Sequence, residues 1–195
     1  MARMRDETKR QSIIQSSKML FSQKGFFSTS ISDIVKETGF PVGTIYTYFR
    51  SKDEIVRVIV EEGWADIYRR LEAAMGTRKK AEDKLRLLID VFLPELIKDL
   101  DLISILLSEA IDYTHIEEKL EKLTDLISSL IRPLVRDQSM LQRFPRRSME
   151  AAVAVVFLGV MNAVKVARST SIGLKISDIT GFLKVLIESS FDLKL

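Results

Sequence analysis

Apolar residues recur at helical spacing along almost the whole chain, and its four prolines and eight glycines fall mostly between the periodic segments. No stretch alternates apolar and polar residues strictly enough to argue for a strand, so the sequence reads as all-α. The spacing predicts helices over about 6–24, 31–38, 41–49, 52–75, 81–98, 101–113, 116–137, 146–169 and 176–193. Their ends carry local signals. Gly25 stops the first helix, which gathers Ile13, Ile14, Leu20 and Phe21 on one face. Ser30 caps the second with Asp33 at its third position, and Gly39 ends it in a left-handed turn. Pro41 suits a first helical turn, and Ser51 with Glu54 forms another capping box. Pro94 should bend its helix, and Pro133 should bend or end the helix that contains it.

Composition narrows the function. Of 195 residues, 46% are hydrophobic and 29% charged, which suits a buried core in one large domain or in a small domain joined to a larger one. The chain has no cysteine, which excludes a disulfide scaffold, a thiolate metal site and a cysteine nucleophile. The lone His115 cannot build a multi-histidine centre. Phosphate-loop and dinucleotide fingerprints are missing, and adjacent carboxylates such as Glu61/Glu62 and Glu117/Glu118 diverge on a helix. No enzyme activity, no cofactor and no metal are therefore expected. The first twelve residues are too polar for a signal peptide, and the longest uncharged run, 151–164, has 14 residues. A bilayer span needs roughly 20, so a cytoplasmic protein without a membrane partner is expected.

Charge is uneven. Residues 1–57 carry ten Lys and Arg against six Asp and Glu, a net +4, whereas residues 58–195 sum to −1. The basic excess suits contact with a polyanion at that end, although a solvated basic face would look alike. The same end holds the most informative segment. Two short helices on either side of Gly39 match a helix-turn-helix. Ile31, Ile34, Val35, Ile45 and Phe49 can join them to the first helix, which leaves the other face of the third for a major groove.

Gly25-Phe26-Phe27-Ser28-Thr29-Ser30-Ile31-Ser32-Asp33-Ile34, then Gly39, then Gly43-Thr44-Ile45-Tyr46-Thr47-Tyr48-Phe49-Arg50-Ser51-Lys52 resembles the signature of TetR/AcrR-type regulators, over roughly residues 7–60. The resemblance implies a helix-turn-helix DNA-binding domain at 1–52 and a helical effector-binding and dimerisation domain at 53–195. It also implies a homodimer on a palindromic double-stranded operator, repressing until a small apolar or amphipathic effector releases the DNA. By position, Thr29 and Ser30 would contact phosphate and Ser32 would reach the groove. Val42, Gly43, Thr44, Tyr46 and Thr47 would face bases or phosphates, Tyr48 the DNA backbone and Lys52 a phosphate. Each has a plainer rival. Tyr46 and Tyr48 could pack the small domain. Lys52 could be an ordinary first-turn lysine, although the helix dipole opposes a cation there and an external phosphate would explain it. Arg3, Arg5, Lys9 and Arg10 form either a solvated, frayed end or a minor-groove arm.

One departure from the family pattern bears on specificity. Pro41 and Val42 stand where related sequences often carry a polar cap and a basic or amide residue. Between Phe40 and Phe49 there is no Arg, Lys, Asn or Gln, so bidentate reading of guanine or adenine is unavailable there. The expected operator is therefore richer than average in A·T, read through thymine methyls and DNA shape.

In the second domain the run 151–161 is apolar nearly all round, and the helices at about 146–169 and 176–193 are expected to form the dimer, with burial inside one subunit as the alternative. Candidate effector-pocket residues are Trp64, Tyr68, Phe92, Leu96, Leu106, Glu109, Tyr113, Phe157 and Met161. Glu109 sits in an almost apolar context and suits either a cationic ligand or a surface ion pair. Two rivals to the regulator remain open: an architectural DNA-binding protein without an effector, and a helical adaptor that binds no DNA.

Overall fold

A computed structural model describes residues 6–76, 79–99, 102, 105, 112, 115–135, 139, 142, 145–171 and 173–191. The regular structure of the described residues is helical: α1 Glu7–Lys24, α2 Ile31–Thr38, α3 Val42–Tyr48, α4 Lys52–Met75, α5 Ala81–Leu87, a π-helical turn Leu88–Phe92, α6 Leu93–Lys98, α7 Ile116–Ile131, α8 Arg146–Ser169 and α9 Ile176–Phe191. The helix expected at 101–113 falls largely outside the described residues. The chain gathers into two compact units, residues 1–66 with 100–115, and residues 67–99 with 116–195. The first unit runs past the boundary expected at 52/53, along α4 to Asp66.

In the first unit, α1 packs on α2 and α2 on α3. Ile13, Ile14, Leu20 and Phe21 of α1, Ile34 of α2, Ile45 of α3, and Ile55, Val56, Ile59 and Val60 of α4 are all buried, together with Phe26 and Phe49 from the connecting segments. Each helix end is fixed by chemistry visible in the sequence. Asp6 caps α1 by accepting the Thr8 N–H at 3.0 Å. Gly39 ends α2 at φ 70°, and its N–H reaches the Val35 carbonyl at 2.9 Å. A side chain rarely adopts that backbone, which accounts for glycine at this turn. Pro41 precedes α3, where its missing N–H leaves no intrahelical bond unmade. The Ser51 hydroxyl accepts from the Glu54 N–H at 3.1 Å, but the Glu54 carboxylate returns to the Arg50 N–H rather than to Ser51.

In the second unit, α7 packs against α5 and α8, and the π turn against α9. Pro94 acts through that turn. It has no N–H for the Asp90 carbonyl, and the ladder widens just before it, with the Leu93 N–H reaching back five residues to Leu88. α7 ends at Ile131, before Pro133. Arg146 fastens α8 to α7 through Asp125 at 2.9 Å and Glu121 at 3.0 Å. By length and composition α8 could also cross a membrane, with a mean hydropathy of 1.8 over Arg146–Ala167. The uncharged run 151–164 is closed by Glu150 and Lys165, which shorten it without greatly lowering the mean hydropathy of the helix. Only 33% of that stretch is buried within the chain.

Candidate nucleic-acid interface

α3 is a seven-residue helix held by one buried side chain of its own, Ile45, and by Phe49 just beyond its end. Helical periodicity puts Gly43 and Thr47 opposite Ile45 and Tyr46 to one side, while Val42, one turn before Ile45, stands at the open N-terminal end of the helix. All four are exposed, Val42 by 51% and Tyr46 by 53%. Thr44 is half-buried, and the Thr47 hydroxyl donates to the Gly43 carbonyl at 2.8 Å. Two large side chains thus face solvent on a helix of seven residues.

Around this face the structure redistributes several expected contacts. Thr29 is buried, and its hydroxyl donates to the Gly25 carbonyl at 2.8 Å, with the Leu20 carbonyl at 3.3 Å. This corrects the expectation of a phosphate-binding side chain at that position: the hydroxyl caps the end of α1 instead. Ser30 closes a complete capping box with Asp33, with its hydroxyl donating to the carboxylate at 2.6 Å, its N–H donating to the same oxygen at 2.8 Å, and the Asp33 N–H returning at 3.1 Å. Ser32, one residue earlier than Asp33, is exposed. Tyr48 is half-buried, and its phenol oxygen accepts from the Asp6 N–H at 3.0 Å, tying the end of α3 to the start of α1.

Lys52 is the larger correction. Its ammonium donates to the carbonyls of Phe26 at 2.6 Å and Thr29 at 2.7 Å, with the Phe27 carbonyl at 3.4 Å, and lies 4.4 Å from the centre of the Phe26 ring. Burial pulls the amine below the ordinary lysine value. These carbonyls account for a cation in the first turn of α4 without an external phosphate. Arg10, expected in a solvated end or an arm, instead pairs with Glu62 of α4 at 2.6 Å and with Glu7 at 3.1 Å, while Arg3 and Arg5 lie outside the described residues. No local pattern signals the Lys52 carbonyl contacts or the Arg10–Glu62 pair, whose partners lie 23 to 52 residues away.

The capping box carries a pH signature. The Ser30 hydroxyl first, then the Ser30 N–H and, more weakly, Lys24 hold the Asp33 carboxyl down to about 2 from an ordinary 3.8. With the folded value below the unfolded one, the contribution of the box is complete above about pH 4 and fades as pH falls toward 2. An NMR titration of the Asp33 carboxyl should give a midpoint near 2; a midpoint near 4 would mean the box is open in solution.

The effector candidates are placed unit by unit. Trp64 is buried in the first unit; Tyr68, Phe92, Leu96, Phe157 and Met161 belong to the second, where Phe157 and Met161 are buried. Leu106, Glu109 and Tyr113 lie outside the described residues. Burial, then Asp125 and Glu72, pushes the Tyr68 phenol up to about 12. Lys119 of α7 is buried in the second unit, although nothing in its polar neighbourhood of sequence distinguishes it.

Residues 13–59 match the sequence model of the bacterial regulatory proteins, tetR family. An uncharacterized HTH-type transcriptional regulator of Bacillus subtilis strain 168, YfiR, is 40% identical over 60 residues, covering 31% of this chain and 29% of that one. The chain thus spans under a third of the length of that relative. Among solved structures, a TetR-like transcriptional regulator from Rhodococcus sp. RHA1 matches with a TM-score of 0.74 at 16% identity, over 98% of this chain and 100% of that one. The regulator FadR of Bacillus subtilis, solved with stearoyl-CoA, matches with a TM-score of 0.68 at 18% identity, over 93% and 97%. These two likenesses establish the shared fold.

Proposed function

We propose, for a chain whose residues 13–59 match the sequence model of the tetR family, the role of a ligand-responsive repressor that binds a palindromic operator as a homodimer. The observation that carries this reading is α3, whose outward face exposes Val42, Gly43, Tyr46 and Thr47 on a scaffold held by Ile34, Ile45 and Phe49. The net +4 of residues 1–57 supplies the attraction to the DNA backbone.

Dimerisation is supported by α8 and α9. Val155 and Val166 on α8, and Phe182, Val185 and Leu186 on α9, are large apolar side chains left exposed. Two such helices from each protomer would cover one another across a twofold axis. A small apolar or amphipathic effector is consistent with the aromatic and methionine side chains of the second unit, and a relative of the same fold is solved with stearoyl-CoA. In the proposed mechanism the effector moves α4 and changes the separation of the two recognition helices. That separation must stay near one helical turn of DNA for both to seat in the groove.

Selection of bound sequences from random duplex DNA, repeated at two salt concentrations, tests the reading. The expected result is a palindromic consensus whose affinity falls steeply with salt. Salt-sensitive binding with no consensus would favour an architectural DNA-binding protein and remove the reason to seek an effector.

A further inference from the structure

We propose that this chain selects its operator chiefly by packing Val42, Thr44 and Tyr46 of α3 against thymine C5-methyl groups, not by hydrogen bonds to purine edges. The inference deepens the regulator reading above and rests on it. α3 contains no charged and no amide side chain, and no carboxylate occurs between Gly39 and Arg50. What it presents is an exposed valine, an exposed tyrosine and two threonines. The Thr47 hydroxyl has its proton committed to the Gly43 carbonyl at 2.8 Å, so outward it offers acceptor lone pairs and a methyl group.

The first turn of α2 adds little polar reading, and its exposed charges, Lys36 and Glu37, lie in the last turn. Thr29 is buried, Ser30 and Asp33 are bonded to each other, and Ser32 remains as an exposed hydroxyl. Guanine and adenine are read best by paired donors and acceptors on one side chain, which this surface lacks. Thymine alone places an apolar group on the major-groove edge, and burying it against Val42 or Tyr46 removes apolar surface on both partners from water.

Gly43 fits the same picture. A Cβ built there would meet nothing within 4 Å, so no packing inside the chain calls for glycine at this position. Between Val42 and Thr44, its missing side chain instead lets the helix backbone come close to the groove.

The test uses the full-length protein and the half-site recovered by selection. Each thymine is replaced in turn by deoxyuridine, which keeps every hydrogen-bonding group and lacks the methyl. At two or more positions per half-site the affinity should fall by about fourfold, the equivalent of one buried methyl. Val42→Ala should remove that sensitivity at one of these positions while the other sensitive thymines keep theirs. A selected consensus whose strongest positions are guanines, or one indifferent to deyoxyuridine at every thymine, would overturn the inference and leave the regulator standing. Failure to select any sequence would overturn both.

Discussion

Replacing Lys52 with methionine is expected to destabilise the first unit by about 3 kcal/mol while leaving the salt dependence of DNA binding unchanged. Methionine keeps the length and apolar stem of lysine but donates nothing. The variant therefore loses two short hydrogen bonds, to the carbonyls of Phe26 and Thr29, and the cation above the Phe26 ring. Hydrogen bonds from a charged donor contribute roughly 1.5–3 kcal/mol each, and the lower end applies where water can replace part of the loss. Against a total stability of about 5–15 kcal/mol this is a large fraction. Denaturant unfolding gives the loss, and faster hydrogen exchange in the 25–30 segment locates it. A phosphate contact would behave in the opposite way. Stability would stay the same, and the slope of log affinity against log salt would drop by about 0.9. That second outcome would return Lys52 to the DNA surface.

The contrast between Ser30 and Lys52 shows which parts of the site the sequence could reveal. Ser30 and Asp33 stand three residues apart, and a capping box needs only that spacing, so residues 30–38 could be read as a capped helix directly. Gly39 was legible for the same reason, because the demand for a left-handed turn is local. Lys52 reaches carbonyls 23 and 26 residues earlier in the chain, and nothing near it in sequence encodes their position. The helix dipole correctly flagged the lysine as needing a partner, but it could not tell an internal carbonyl from an external phosphate. Thr29 failed similarly: a hydroxyl four residues after Gly25 can turn back to the helix it follows as easily as outward. Pro94 was legible as a distortion and not as a π turn, since the missing N–H fixes where the ladder breaks but not how the neighbours make up for it. The effector pocket was the least legible, because apolar and aromatic residues at helical spacing describe a packed core and a ligand-lined cavity equally well.

In the proposed homodimer, placing glutamate at both Val155 and Phe182 is expected to give a monomer and to weaken binding of the proposed operator by on the order of a hundredfold or more. Both side chains are solvent-facing within the chain, at 72% and 64% exposure, so a charge there should leave the packing of the second unit intact. In a twofold interface each substitution occurs twice, which would bring four carboxylates into a surface built from valine, glycine, alanine and phenylalanine. An ion buried without a partner costs several kcal/mol, more than a modest apolar contact returns. Losing the dimer then removes the second recognition helix, whose binding had been intramolecular and therefore favoured by effective concentration. Sedimentation reads the mass, circular dichroism reports retained helix, and titration of a selected operator gives the affinity. A double variant that still sediments as a dimer would place the interface on another surface, and one that becomes monomeric yet binds the palindrome as tightly as before would show that each protomer reads its half-site alone.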